Sequence, residues 1–117
     1  MGTVMVTLFS QPQIWKDRFG FDACPWKFAI LVCGGGISCV PNFQSDSSIN
    51  SIHLPSLHIQ GKTDSYLEES KAIQDYWVEG ERQTYMHAGG HEIDLQILVR
   101  EPQLKTVLEE FILENFF

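Results

Sequence analysis

A chain of 117 residues has room for one domain or part of one. Its 44% hydrophobic content belongs to a globular protein and excludes a disordered one. The formal net charge of -7 argues against nucleic acid or an anionic membrane surface as a partner.

The acids are spread along the chain (Glu68, Glu69, Asp75, Glu79, Glu81, Glu109, Glu110 and Glu114), as on solvated helix faces. Cys24, Cys33 and Cys39 make an odd count with no CxxC pair. That is neither a disulfide framework nor a zinc site, and it suits a reducing compartment. The first cation is Lys16, so no basic region precedes an apolar segment as in a signal peptide. Met1 and Gly2 open like a myristoylation site, but Val6 stands where Ser or Thr is required. No apolar run is long enough to span a bilayer. The expected location is the cytoplasm, with the nucleus also open.

Residues 3–9 are apolar and rich in β-branched side chains, which favours a strand by propensity. A buried helix fits as well, because short apolar runs do not distinguish the two. Residues 11–25 are polar and interrupted by Pro12, Gly20 and Pro25, and are expected to be mostly loop. Residues 26–33 form the clearest strand, apolar throughout after Lys27, as when helices cover both faces of a parallel sheet. Gly34, Gly35 and Gly36 end it without a phosphate-binding pattern. Residues 37–54 have the composition of an irregular excursion, a lid or binding loop.

A second strand over 55–60 leads into Gly61, Lys62, Thr63 and Asp64. Ser65 with Glu68 has the spacing of a capping box and predicts a helix over about 66–77. Leu67, Ile73, Tyr76 and Trp77 are its apolar stripe, and Gly80 follows. A third strand over 82–87 ends at Gly89, Gly90 and His91. Pro102 opens a last helix, where Leu104, Val107, Leu108, Phe111 and Ile112 recur at helical spacing. This order predicts an α/β fold with parallel strands. Three strands are few, and a continuously apolar first strand calls for neighbours on both sides. The chain has the pattern of the back half of a larger sheet.

Asp64 and His91 each close a strand-and-loop unit, which puts them side by side at the carboxyl edge of the sheet, where open α/β sheets bind ligands. A carboxylate that holds an imidazole in one tautomer is two-thirds of a nucleophilic triad. Asp64 has a second possible role, because Asp in a glycine-containing turn also caps helices. His87, at a strand end, and His58, within a strand, are expected to be structural. His87, His91 and Glu92 lack metal-site spacing, since Gly89 and Gly90 prevent the helix that would put both histidines on one face. Ser38 and Cys39 are the in-chain nucleophile candidates, and neither is framed by a strand-to-helix elbow.

Residues 25–34 (PWKFAILVCG), 55–64 (PSLHIQGKTD), Ser70 and 87–92 (HAGGHE) together resemble the C-terminal part of an α/β-hydrolase. More closely, they resemble the FSH-type serine hydrolases, widespread in fungi and related to the ovarian-cancer-associated hydrolases of animals. The resemblance implies that Asp64 is the triad acid and His91 the general base. It implies hydrolysis of an ester or acyl-thioester substrate, small or carried on a carrier protein, without a cofactor. The family's GxSxG elbow does not occur in the sequence. Gly2 matches the last glycine of that motif, with its serine just ahead of Met1, and this alignment favours the helix for residues 3–9. Residues 1–117 are then expected to be the C-terminal portion of the domain, without the half that carries the elbow. The alternative is a non-catalytic remnant or interaction module that keeps Asp64 and His91 but lacks the serine.

Overall fold

The computed structural model of the chain describes residues 2–35 and 50–116. The elements are α1 (Gly2–Phe9), α2 (Pro12–Phe19), β1 (Ala29–Val32), β2 (Ser56–Gly61), α3 (Leu67–Gln74), β3 (Arg82–His87), α4 (Leu95–Arg100) and α5 (Pro102–Phe116). The three strands form one sheet in the order β1-β2-β3, and both pairs are parallel. The fold is α/β. In the register Gly61 lies level with His87, so the loops after β2 and β3 leave the same carboxyl edge.

β2 is the middle strand, and all six of its residues are buried. The two-residue period of a strand sends its side chains to opposite faces. Leu57 and Ile59 pack with Leu104 and Phe111 of α5, where Phe28 meets Phe111 edge-on at 5.7 Å. On the other face lie Ser56, His58 and Gln60, and burying polar groups there requires partners. Ser56 Oγ and His58 Nε2 are 2.9 Å apart, and the Gln60 amide donates to Gln74 Oε1 at 2.9 Å. The ring of His58 meets Trp77 edge-on at 5.8 Å, so this histidine is a core residue, as expected. The second cluster joins Val4, Ala29, Leu31, Ile52, Ile73, Tyr76 and Trp77. Helices therefore cover both faces of the sheet.

The most apolar run sits at the edge of this sheet and not in its middle. Among the described residues no strand pairs with the outer side of β1, and Val32 is 42% exposed. β1 is also shorter than the expected 26–33. The indole N–H of Trp26 donates to Ser10 Oγ at 2.8 Å, and its ring meets Trp15 edge-on at 5.6 Å. Those contacts draw the residues before Ala29 toward the corner between α1 and α2. At the other end Cys33 leaves the strand with a left-handed φ of 51°.

Residues 3–9 are helical, because packing overrides β propensity here. Val4 is fully buried, and Thr7 Oγ1 donates to the carbonyl of Thr3 while accepting the indole N–H of Trp77 at 3.2 Å. The loop expected over 11–25 contains α2, a correction with a clear cause. Pro12 occupies the first turn, where its missing N–H costs nothing. Gly20, at φ 73°, caps the carboxyl end by donating its N–H to the carbonyl of Lys16. The two residues expected to break structure are the start and stop of a helix.

α3 is shorter than the expected 66–77, and the capping box of Ser65 and Glu68 does not form: Tyr66 is the N-cap and makes no side-chain cap. Trp77 instead joins Ile52 in a short parallel bridge. That bridge belongs to the returning end of the 37–54 segment, most of which lies outside the described residues. α4 had no counterpart in the sequence reading. Asp94 caps it by accepting the Ile97 N–H at 3.0 Å. α5 starts at Pro102 as expected, although Ile112 of its stripe is 39% exposed. No described helix is long and apolar enough to cross a membrane.

Candidate active site

Asp64 is placed by a tight turn at the end of β2. Its N–H donates to the carbonyl of Gly61 at 3.1 Å, and its own carbonyl accepts the Leu67 N–H at 3.1 Å. The next loop packs against this turn through the peptide groups. Lys62 N–H donates to the His87 carbonyl at 2.9 Å, and Thr63 N–H donates to the Gly89 carbonyl at 3.1 Å. These bonds continue the β2–β3 ladder past the last paired residues, so the two loops hold a common register.

The side chain of Asp64 is fully buried, and both of its oxygens are engaged. Oδ1 accepts the Tyr66 N–H at 2.8 Å, and Oδ2 lies 2.9 Å from His91 Nδ1. One carboxylate thus braces the turn and pairs with His91, whereas the helix cap that the sequence left open for Asp64 does not form, because Tyr66 is the N-cap of α3. A carboxylate acceptor at Nδ1 puts that nitrogen's hydrogen toward Asp64 and leaves Nε2 to carry the lone pair. The His91 side chain is 49% exposed, and the ring of Tyr66 lies 5.3 Å from it at 59°.

His91 lines a cleft of about 350 Å³ together with Gly2, Thr3, Val6, Ile30, Leu31, Val32 and Cys33. The wall opposite the histidine is therefore the start of α1 and the carboxyl end of β1. Met1, Ser38 and Cys39 lie outside the described residues. His87 and His91, four residues apart, turn to different partners: the first is fully buried against Cys33, the second meets Asp64.

Three residues stand at the site whose place there the sequence does not show, although burial of the Cys33 thiol is expected from its apolar run. Cys33 is buried on the cleft wall, where burial and then the charge of Asp64 push its thiol up to about 11. Ser70, one of the resembling residues, donates from Oγ to the Gly34 carbonyl at 2.7 Å and ties α3 to the turn after β1. Tyr66 flanks the imidazole. The left-handed φ of Cys33 before the glycine run shows only in the backbone, so the sequence carries no signal of its place at the site.

A parallel sheet with a carboxylate and an imidazole on adjacent strand ends, the carboxylate first in the chain, is an arrangement that α/β-hydrolases have. The family model for serine hydrolases (FSH1) matches residues 1–96, and the chain belongs to that family. The match runs from α1 through the His91 loop and stops within α4; α5 lies beyond it. Comparison with curated proteins and with solved structures found no match in either.

Proposed function

We propose that the chain supplies the acid and the general base of a serine hydrolase acting on esters or thioesters, with Asp64 as the acid and His91 as the base. The observation that carries this reading is the 2.9 Å contact between a fully buried carboxylate and an imidazole open to a cleft. Asp64 holds Nδ1–H, so Nε2 accepts the proton of a serine hydroxyl as its oxygen bonds to the acyl carbon. The same proton then passes to the leaving alcohol or thiol, and water repeats the sequence to release the acid. Val6, Ile30, Leu31 and Val32 give the cleft an apolar wall suited to an acyl chain, free or on a carrier protein.

In this reading residues 1–117 are the C-terminal portion of the hydrolase domain and act in the cytoplasm. α1 is the helix that follows the nucleophile elbow, Gly2 is the elbow's last glycine, and the serine stands two positions ahead of it. Two observations support the placement. Gly2 and Thr3 line the same cleft as His91. The outer edge of β1 also has no partner strand among the described residues. The free thiols of Cys24 and Cys33 suit a reducing compartment.

A second reading, a non-catalytic interaction module, is favoured by one fact: GxSxG does not occur in the sequence. Labelling with a fluorophosphonate probe separates the two. Residues 1–117 are expected to stay unlabelled, because the sequence has no GxSxG serine for His91 to activate. A longer protein with Gly-x-Ser and the preceding strands joined ahead of Gly2 is expected to label and to turn over esters, and His91→Ala in it to lose both. An inert extended protein supports the module. Labelling of 1–117 itself would overturn the placement of the nucleophile and make Ser38 the first residue to substitute.

A further inference from the structure

The loop that carries His91 consists of Ala88, Gly89 and Gly90, which have almost no side chain to anchor them. From outside, Glu101 holds it, accepting the Ala88 N–H at 3.0 Å and the Tyr85 hydroxyl at 3.1 Å. From inside the anchor is His87, which has no exposed surface. Its Nδ1 accepts the Gly89 N–H at 3.0 Å. That bond fixes the tautomer: Nδ1 carries the lone pair, and the hydrogen is on Nε2. Nε2 faces Cys33 Sγ at 3.6 Å, and Cys33 Sγ in turn faces the Gly90 carbonyl at 3.8 Å. Each donor meets one acceptor. The circuit leaves the loop at Gly89, crosses the imidazole and the thiol, and returns at Gly90.

Burial and the Asp64 charge push the Cys33 thiol up to about 11, so it keeps the hydrogen that this circuit needs at the sulfur. Its left-handed φ of 51° is a strained conformation for a residue with a Cβ, and such strain persists where the surroundings hold it. His58, in the neighbouring strand, shows what a core histidine does here: it bonds Ser56 and packs on Trp77. The partners of His87 are instead the Gly89 N–H of the loop and Cys33 of the cleft wall, and Cys33 in turn faces the Gly90 carbonyl.

We propose that His87, working through Cys33, is a positioning residue that clamps the Gly89–Gly90 loop and so aims the His91 ring at Asp64. This rests on the reading of Asp64 and His91 as an acid–base pair. Neither His87 nor Cys33 exchanges a proton with the substrate in this role.

Long-range proton–nitrogen NMR of the imidazole rings in the 117-residue chain tests it, because the ring nitrogens report the tautomer directly. Wild type is expected to show His91 with its hydrogen on Nδ1, and Asp64→Asn to abolish that preference. His87→Leu is expected to give mixed tautomers at His91. His87→Asn, whose side-chain oxygen can stand where Nδ1 stood, is expected to restore the single tautomer. Cys33→Ala is expected to weaken the preference, Cys33→Ser to keep it, and Cys33→Ala to add nothing further in the His87→Leu background, as for members of one circuit. If His87→Leu does not fold, the His87→Asn and Cys33 variants carry the test. A His91 tautomer that responds to Asp64→Asn but is unmoved by His87→Leu and Cys33→Ala overturns the clamp and leaves the pair standing. A wild-type His91 with no Nδ1 preference overturns both.

Discussion

Gly61, at the end of β2, and Gly90, one residue before His91, meet backbone against backbone. A Cβ on Gly61 would overlap the Gly90 carbonyl oxygen and stand 2.7 Å from that of Gly89. Because the obstacle is main chain, no side-chain rotation relieves it. Gly61→Ala is therefore expected to push the His91 loop off the β2 turn, at a cost of about 1–3 kcal/mol from overpacking. The check is a lowered urea midpoint together with loss of the Nδ1-bound tautomer at His91.

Asp64→Asn keeps the shape of the turn, since an amide oxygen can still accept the Tyr66 N–H. It removes the charged acceptor at Nδ1 and lets the imidazole take the wrong tautomer. In a protein completed with the elbow serine, kcat for a small ester is expected to fall about 10⁴-fold, with KM little changed. A fall below tenfold would show that Asp64 only braces the turn before α3.

Stability should depend on pH through His58. Burial first, and then the charge of Arg82, lower His58 from 6.5 to about 4. Between those values the unfolded chain binds a proton that the native one refuses. Stability thus falls as the pH drops from about 6.5 to about 4, and this residue adds no slope outside that window. The span is worth about 3 kcal/mol. Urea unfolding of wild type against His58→Gln across that range should show the slope in the first and its loss in the second.

Cys33 should be a slow thiol. Alkylation proceeds through the thiolate, and burial with the Asp64 charge holds Cys33 up to about 11. Mass spectrometry after iodoacetamide near neutral pH is expected to find Cys33 unmodified in the folded protein and modified in urea. Asp64→Asn removes one of the two causes and is expected to raise the native rate.

What the sequence revealed of this molecule, and what it hid, divides along physical lines. β2 and β3 were legible because Pro55, Gly61 and Gly89 bound them, and Asp64 and His91 because glycines on the chain before them clear the space each needs. α2 was hidden because Pro12 and Gly20 punctuate a helix as readily as they break one. α4 was hidden because Leu95 and Val99 are 80% and 81% exposed, so its apolar residues do not trace one buried face. The joint role of His87 and Cys33 depends on a tautomer and a left-handed residue, neither of which a composition or period encodes. The hydrophobicity of β1 is that of a strand covered on both sides, although it stands at the edge of the described sheet, while the buried middle strand keeps its polar residues by pairing them.

The bond between Thr7 and Trp77 joins residues seventy positions apart. A ribosome working at about 5–20 residues per second finishes α1 some 3 to 14 seconds before it reaches that indole. For most of this interval Val4 has been made and Ile73, Tyr76 and Trp77, which pack with it, have not. Nascent α1 is therefore a segment for a chaperone to hold until β2 and α3 have been made. Moving α1 behind α5 by circular permutation is expected to shorten that wait and to raise the soluble fraction of newly made chains.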